Sequence, residues 1–142
     1  MGYSGRGVFN QSGGTHVVGE IFILGNAAGP SGIYNLSNDE FFSNPDEFVG
    51  SNGVGTFNQS GGLHVTEYLT IGYGATGMGT MNLSGGQLMV HRDVFVGNGT
   101  GGRDTLNVTG GSMVSGDLIV TTLATAKISG GTVSVKQLYM DD

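Results

Sequence analysis

The chain has 142 residues, of which 29 are glycine, two are proline and none is cysteine, and it carries a net charge of −6 with only five Lys plus Arg. An ordinary domain would hold roughly 10 glycines at about 7 % usage; no Gly-X-Y register runs through this chain, which excludes collagen, and an even spread of Val, Ile, Leu and Phe excludes simple disorder. No disulfide or thiolate metal site is possible, the acidic balance argues against nucleic acid and anionic membranes as partners, and no run approaches ~18 apolar residues, so no membrane insertion is expected.

The first candidate element, FNQSGG at 9–14, recurs letter for letter at 57–62. Relaxed to an apolar residue, Asn, any residue, Ser or Thr and a glycine pair, the motif also reads YNLSND at 34, MNLSGG at 81, LNVTGG at 106 and AKISGG at 126. The intervals are 25, 23, 24, 25 and 20 residues, so six units of about 24 begin near 7, 32, 55, 79, 104 and 124 within one domain spanning 1–142. Such a period marks a solenoid, whose units bury their apolar sides only by stacking. Within each unit the apolar residues alternate with period 2 in three bursts, as in TFNQS, LHVT and LTIG, and no room remains for a helix. The expected fold is all-β: a right-handed parallel β-helix (β-solenoid) of about six coils, with three short strands per coil. Glycine pairs such as Gly61 and Gly62 supply the positive φ of a sharp corner, and Asn38 and Asp39, which tolerate that region, replace them in the second unit.

Stacked coils place equivalent residues about 4.8 Å apart, so each alignment column becomes a ladder. The column Phe9, Tyr34, Phe57, Met81, Leu106, Ala126 is expected to face inward, as is Gln11, Leu36, Gln59, Leu83, Val108, Ile128 two residues later. Asn10, Asn35, Asn58, Asn82 and Asn107 then form an outward ladder, with Lys127 in sixth place. In the second strand the inward column is His16, Phe41, His64, Leu88, Met113, Val133; in the third it is Leu24, Val49, Ile71, Val96, Val120, Met140. Only the first and third units place Gln and His inward, so Gln11 with His16, and Gln59 with His64, are expected to bond each other across their own coils. SNPDEF at 43–48 breaks the pattern and is expected to bulge, since Glu47 would otherwise point inward.

The second and third strands present outward residues that are apolar where polar ones are usual. They are Val17, Phe42, Val65, Met89 and Val114 in one stripe, then Ile23, Phe48, Phe95, Ile119 and Tyr139, with Thr70, in the other. Two such stripes predict a lateral protein-protein surface. The chain starts one short turn before its first strand and completes its sixth coil at Met140, so strand pairing could continue into a second copy, a heterologous contact that makes a fibre; a segment of a longer solenoid would look the same. Glu20, Asp46, Glu67, Asp93 and Asp117 fall near one corner as a carboxylate ladder. Calcium is the conceivable ligand there, but Arg92 and Lys136 interrupt the run and a solvated acidic edge suits it better. The adjacent His91, Arg92 and Asp93 read as a local ion pair. Asn10, Asn35, Asn58, Asn82, Asn98 and Asn107 each open an N-x-Ser/Thr sequon, five of them as a by-product of the repeat. No column joins two acids to a base, and the corners are too short to build a cleft, so neither catalysis nor a cofactor or metal centre is expected.

Units of the form GTFNQSGG followed by L-x-V and L-x-I-G resemble the β-strand repeats of bacterial autotransporter passengers and of related secreted proteins of the PEP-CTERM type. The resemblance covers nearly the whole chain and implies an extracellular or cell-surface β-solenoid serving as stalk, adhesin or matrix. MGYSGRGV at the start lacks the apolar core of a signal peptide, so export would require a leader removed beforehand. The functional expectation is a non-catalytic, self-assembling structural subunit of a filament or surface matrix. The alternative is the shaft of an adhesin or fibre that binds carbohydrate or a host surface.

Overall fold

The structure is a computed structural model describing residues 1–100 and 102–141. Its repeat folds as a β-solenoid of parallel strands, with no helix among the described residues. The first strands of the six coils are β1 (Gly7–Gln11), β4 (Ser31–Leu36), β6 (Val54–Gln59), β8 (Met78–Leu83), β11 (Thr105–Val108) and β13 (Thr125–Ile128). They pair in that order in one six-stranded sheet. The rest of each coil builds a second sheet from β2 (Thr15–Val18), β3 (Ile21–Leu24), β5 (Glu40–Val49), β7 (Leu63–Tyr73), β9 (Gln87–Val90), β10 (Val94–Asn98), β12 (Ser112–Val120) and β14 (Thr132–Met140).

Three short strands per coil therefore hold only for coils 1 and 4. In coils 2, 3, 5 and 6 the second and third strands run on as one, the ladder resuming past the bend at Asp46 with Tyr68 and at Asp117 with Gln137. The columns are in register: Phe9 pairs Tyr34, then Phe57, Met81, Leu106 and Ala126 follow. Tyr34, Phe57, Met81 and Leu106 are fully buried, whereas Phe9 at 39 % and Ile128 at 52 % exposure lie on the two outer faces of the stack. Rings fill the lower coils, with Phe9 over Tyr34 at 5.0 Å and Tyr34 over Phe57 at 4.9 Å, close to the spacing of the strands themselves. Aliphatic side chains fill the upper coils.

The two glycines of each corner do different work. Gly62 turns the chain at φ 76°, where an L side chain is strained. Gly61 does not need a positive φ; it lies so close to the coil before it that an added Cβ would stand 2.0 Å from the Ser37 carbonyl oxygen. The corner at Asn38 and Asp39 corrects the expectation drawn from their left-handed tolerance: among the described residues no non-glycine has a positive φ. The bulge at 43–48 is present as a register shift between Ser43 and Asp46, but it does not turn Glu47 out. Asn44 and Pro45 take up the irregularity at the surface, and Glu47 stays on the inward side, in register with Phe22 and Leu69, at 0 % exposure.

Candidate interaction surface

Alternation along the second strand sends Val17, Phe42, Val65, Met89 and Val114 outward, and strand pairing sets them in one line that ends at Ser134. Val17, Met89 and Val114 are 66 %, 38 % and 48 % exposed, and Phe42 and Val65 are half-buried between them. A cleft of about 310 Å³ opens along this line, floored by Val17, Phe42 and Val65 and rimmed by Glu67 and His91. The second stripe pairs in the same way, from Ile23 through Phe48, Thr70, Phe95 and Ile119 to Tyr139. It is less open: Thr70 is buried, Phe48 leans on Tyr73 at 5.2 Å, and only Tyr139 is exposed.

On the six-stranded sheet the side-chain amide of each Asn donates to the Oδ1 of the Asn one coil earlier. The bonds are Asn35 to Asn10 at 2.7 Å, Asn58 to Asn35 at 2.8 Å, Asn82 to Asn58 at 2.8 Å and Asn107 to Asn82 at 2.9 Å. Beside this ladder a second outward line holds Thr56, Thr80, Thr105 and Thr125.

Comparison of the chain with protein families, with curated proteins and with solved structures finds no match.

The acidic corner is not a ladder. Asp46 pairs in register with Ile21 and Tyr68 rather than with another acid. Glu67 takes His91 Nδ1 at 2.9 Å and Arg92 Nε at 3.8 Å from the following coil, so His91 and Arg92 answer Glu67 and not their neighbour Asp93. Asp93 Oδ1 accepts the Asp117 N–H at 2.9 Å. Glu20 is exposed. Among the described residues no three His, Cys, Asp or Glu side chains come together as a metal would require.

The internal polar residues find partners other than those expected. In coil 1, Gln11 and His16 meet only through Tyr34, whose hydroxyl donates to Gln11 Oε1 and lies 2.7 Å from His16 Nδ1. Burial, and after it the charge of Glu47, push the Tyr34 hydroxyl above the usual phenol range, which keeps it a donor. In coil 3 the partner of His64 is Glu47: Nε2 and Oε2 are 2.7 Å apart and both side chains are fully buried. Gln59 instead donates to the Gly62 and Gln87 carbonyls. The same-coil bonds give way because a neighbouring coil supplies a better partner: the Tyr34 hydroxyl enters between Gln11 and His16, and the Glu47 carboxylate reaches His64.

Asp104 was not among the residues singled out, although a signal existed. It precedes Thr105 where the earlier units place Gly7, Gly32, Gly55 and Gly79 before the equivalent residue. Its carboxylate is buried and accepts the Gly79 N–H at 2.7 Å. Burial raises its pKa and that bond lowers it, the net direction being upward from 3.8. A carboxyl raised in the fold contributes stability that is full below its unfolded value and is lost as pH rises through its folded value. Asp104→Asn, which keeps an acceptor for Gly79, should therefore melt higher than the parent chain at pH 7. The difference should close below about pH 4 in thermal melts across pH; a gap that does not change with pH would refute it.

Proposed function

We propose that the chain is a non-catalytic structural β-solenoid that assembles with copies of itself into an extracellular filament or surface matrix. The observation that carries this reading is the line Val17, Phe42, Val65, Met89, Val114, an apolar ladder one side chain wide along successive coils. A second copy laid along it would remove five apolar side chains from water at about 25 cal/mol per Å². For growth along the axis, Ile128, Leu138 and Met140 of coil 6, which are 52 %, 57 % and 69 % exposed, would meet Phe9 and the half-buried His16 of coil 1. Met1 accepts the Gly25 N–H at 2.8 Å and so holds, below Leu24, the place Met140 would take. The first and second strands would therefore make the end joint.

The test is association of the purified chain followed by light scattering and electron microscopy. Met89→Asp with Val114→Asp should abolish side-to-side bundling by placing two charges on the ladder, while circular dichroism stays that of the folded solenoid. Bundles that persist would remove the ladder from the proposal. A second reading, an adhesin or fibre shaft that binds carbohydrate, is favoured by the polar face on which the Asn ladder runs through coils 1 to 5 and Thr56, Thr80, Thr105 and Thr125 through coils 3 to 6. Discrete rods that bind glycans without forming threads would select it.

A further inference from the structure

Coils 1 and 3 begin with the same hexapeptide and hold their glutamines in the same way. Gln11 Nε2 donates to the Gly14 carbonyl at 3.0 Å and to the Glu40 carbonyl of the next coil at 3.0 Å. Gln59 Nε2 donates to the Gly62 carbonyl at 3.3 Å and to the Gln87 carbonyl of the next coil at 2.9 Å. Glu40 and Gln87 are equivalent, being paired with Thr15 and Leu63 respectively. With the amide nitrogens fixed alike, the Oε1 atoms project alike. The imidazoles are also placed alike: His16 stacks on Phe9 at 5.2 Å and 25°, His64 on Phe57 at 4.5 Å and 12°.

The surroundings differ in three places: Leu88 lies over His64 where Phe41 lies over His16, Glu47 reaches His64 from the coil before, and the first-strand residue overhead changes. The side chain lying over the pair from the next coil is Tyr34 in the first case and Met81 in the second, as the register of Phe9 with Tyr34 and of Phe57 with Met81 requires. The Tyr34 hydroxyl joins Gln11 Oε1 to His16 Nδ1. A thioether cannot donate. The two atoms that the hydroxyl joins in coil 1 have as their counterparts Gln59 Oε1 and His64 Nδ1, and both of these are buried without a partner in the protein. Such atoms cost about as much as a lost hydrogen bond each, a penalty that one bridging water would remove.

We propose that a water molecule is built into the core between coils 3 and 4, bonded to Gln59 Oε1 and His64 Nδ1, in the place that the Tyr34 hydroxyl holds between coils 1 and 2. Water donates to Gln59 Oε1 and either accepts from or donates to Nδ1, so it fits whichever way the proton lies between His64 Nε2 and Glu47. Met81 is fully buried above the site and seals it from solvent.

The experiment compares the parent chain with Met81→Tyr and Met81→Phe. A high-resolution crystal structure of the parent should show one ordered water within hydrogen-bond distance of both atoms. In Met81→Tyr the phenol oxygen should replace it, and that variant should melt at least ~3 °C above Met81→Phe, which brings the ring without the oxygen. A direct Gln59–His64 bond in the parent, density empty of water, or equal melting of the two variants would overturn the proposal. If neither variant folds, the parent density decides it alone.

Discussion

Replacing His64 by leucine should destabilise the solenoid by about 3 kcal/mol, because it strips a fully buried carboxyl of its hydrogen-bond partner. His64 and Glu47 are both at 0 % exposure and 2.7 Å apart, and Glu47 has Phe22 and Leu69 as its register neighbours in the stack. Once His64 is gone, the Glu47 carboxyl is left in an apolar core without the hydrogen bond that satisfied it. The double change Glu47→Leu with His64→Leu should recover most of the loss, because two apolar groups of similar size replace the pair together. Urea unfolding of the parent, both single variants and the double gives the coupling directly. Losses that simply add would show that the pair contributes nothing as a pair.

The second large effect separates two glycines in one identical hexapeptide. Gly61→Ala should cost at least ~3 kcal/mol, since the new Cβ would meet the Ser37 carbonyl oxygen at 2.0 Å and its carbon at 3.1 Å, backbone atoms that cannot swing aside without breaking the ladder between coils 2 and 3. Gly13→Ala should change the stability of the isolated chain by no more than ~0.5 kcal/mol, because nothing lies within 4 Å of the added methyl and the φ there is not positive. If copies stack end to end, Gly13 takes up against the neighbour's Ser129 carbonyl the position that Gly61 takes against Ser37. The same harmless methyl should then stop threads from lengthening. Thermal melts measure the first two outcomes, and thread length under the electron microscope measures the third; threads of normal length would exclude the same-register joint.

The inward and outward columns were legible in the sequence because two periods, 2 along a strand and about 24 along the chain, fix them without reference to any side-chain detail. Phe57 lies over Tyr34 and under Met81 as the alignment requires. What the alignment could not supply was partnership within the core. Reading one coil at a time pairs Gln59 with His64, yet the atoms that reach His64 come from Glu47, one coil earlier and beyond an irregularity at Asn44 and Pro45. Tyr34 was assigned as an apolar filler, and the hydroxyl that joins Gln11 to His16 went unused. The acidic corner failed for a different reason: its acids lie near one corner but not in one column, and Asp46 pairs in register with Ile21 and Tyr68. The merging of second and third strands was hidden because the breaks that do separate them, at Gly19 and Glu20 in coil 1 and at His91 to Asp93 in coil 4, share no residue signature.

The Asn side chains on the six-stranded sheet all donate in one sense, from each later coil back to the one before it. Four amide dipoles in series polarise one another, which gives this face of the rod an electrical arrow running along its length. Neighbouring rods laid head to head would reinforce that arrow, and rods laid head to tail would cancel it. If copies assemble as proposed, this face gives them an electrostatic ground for alternating in direction, set by five asparagines.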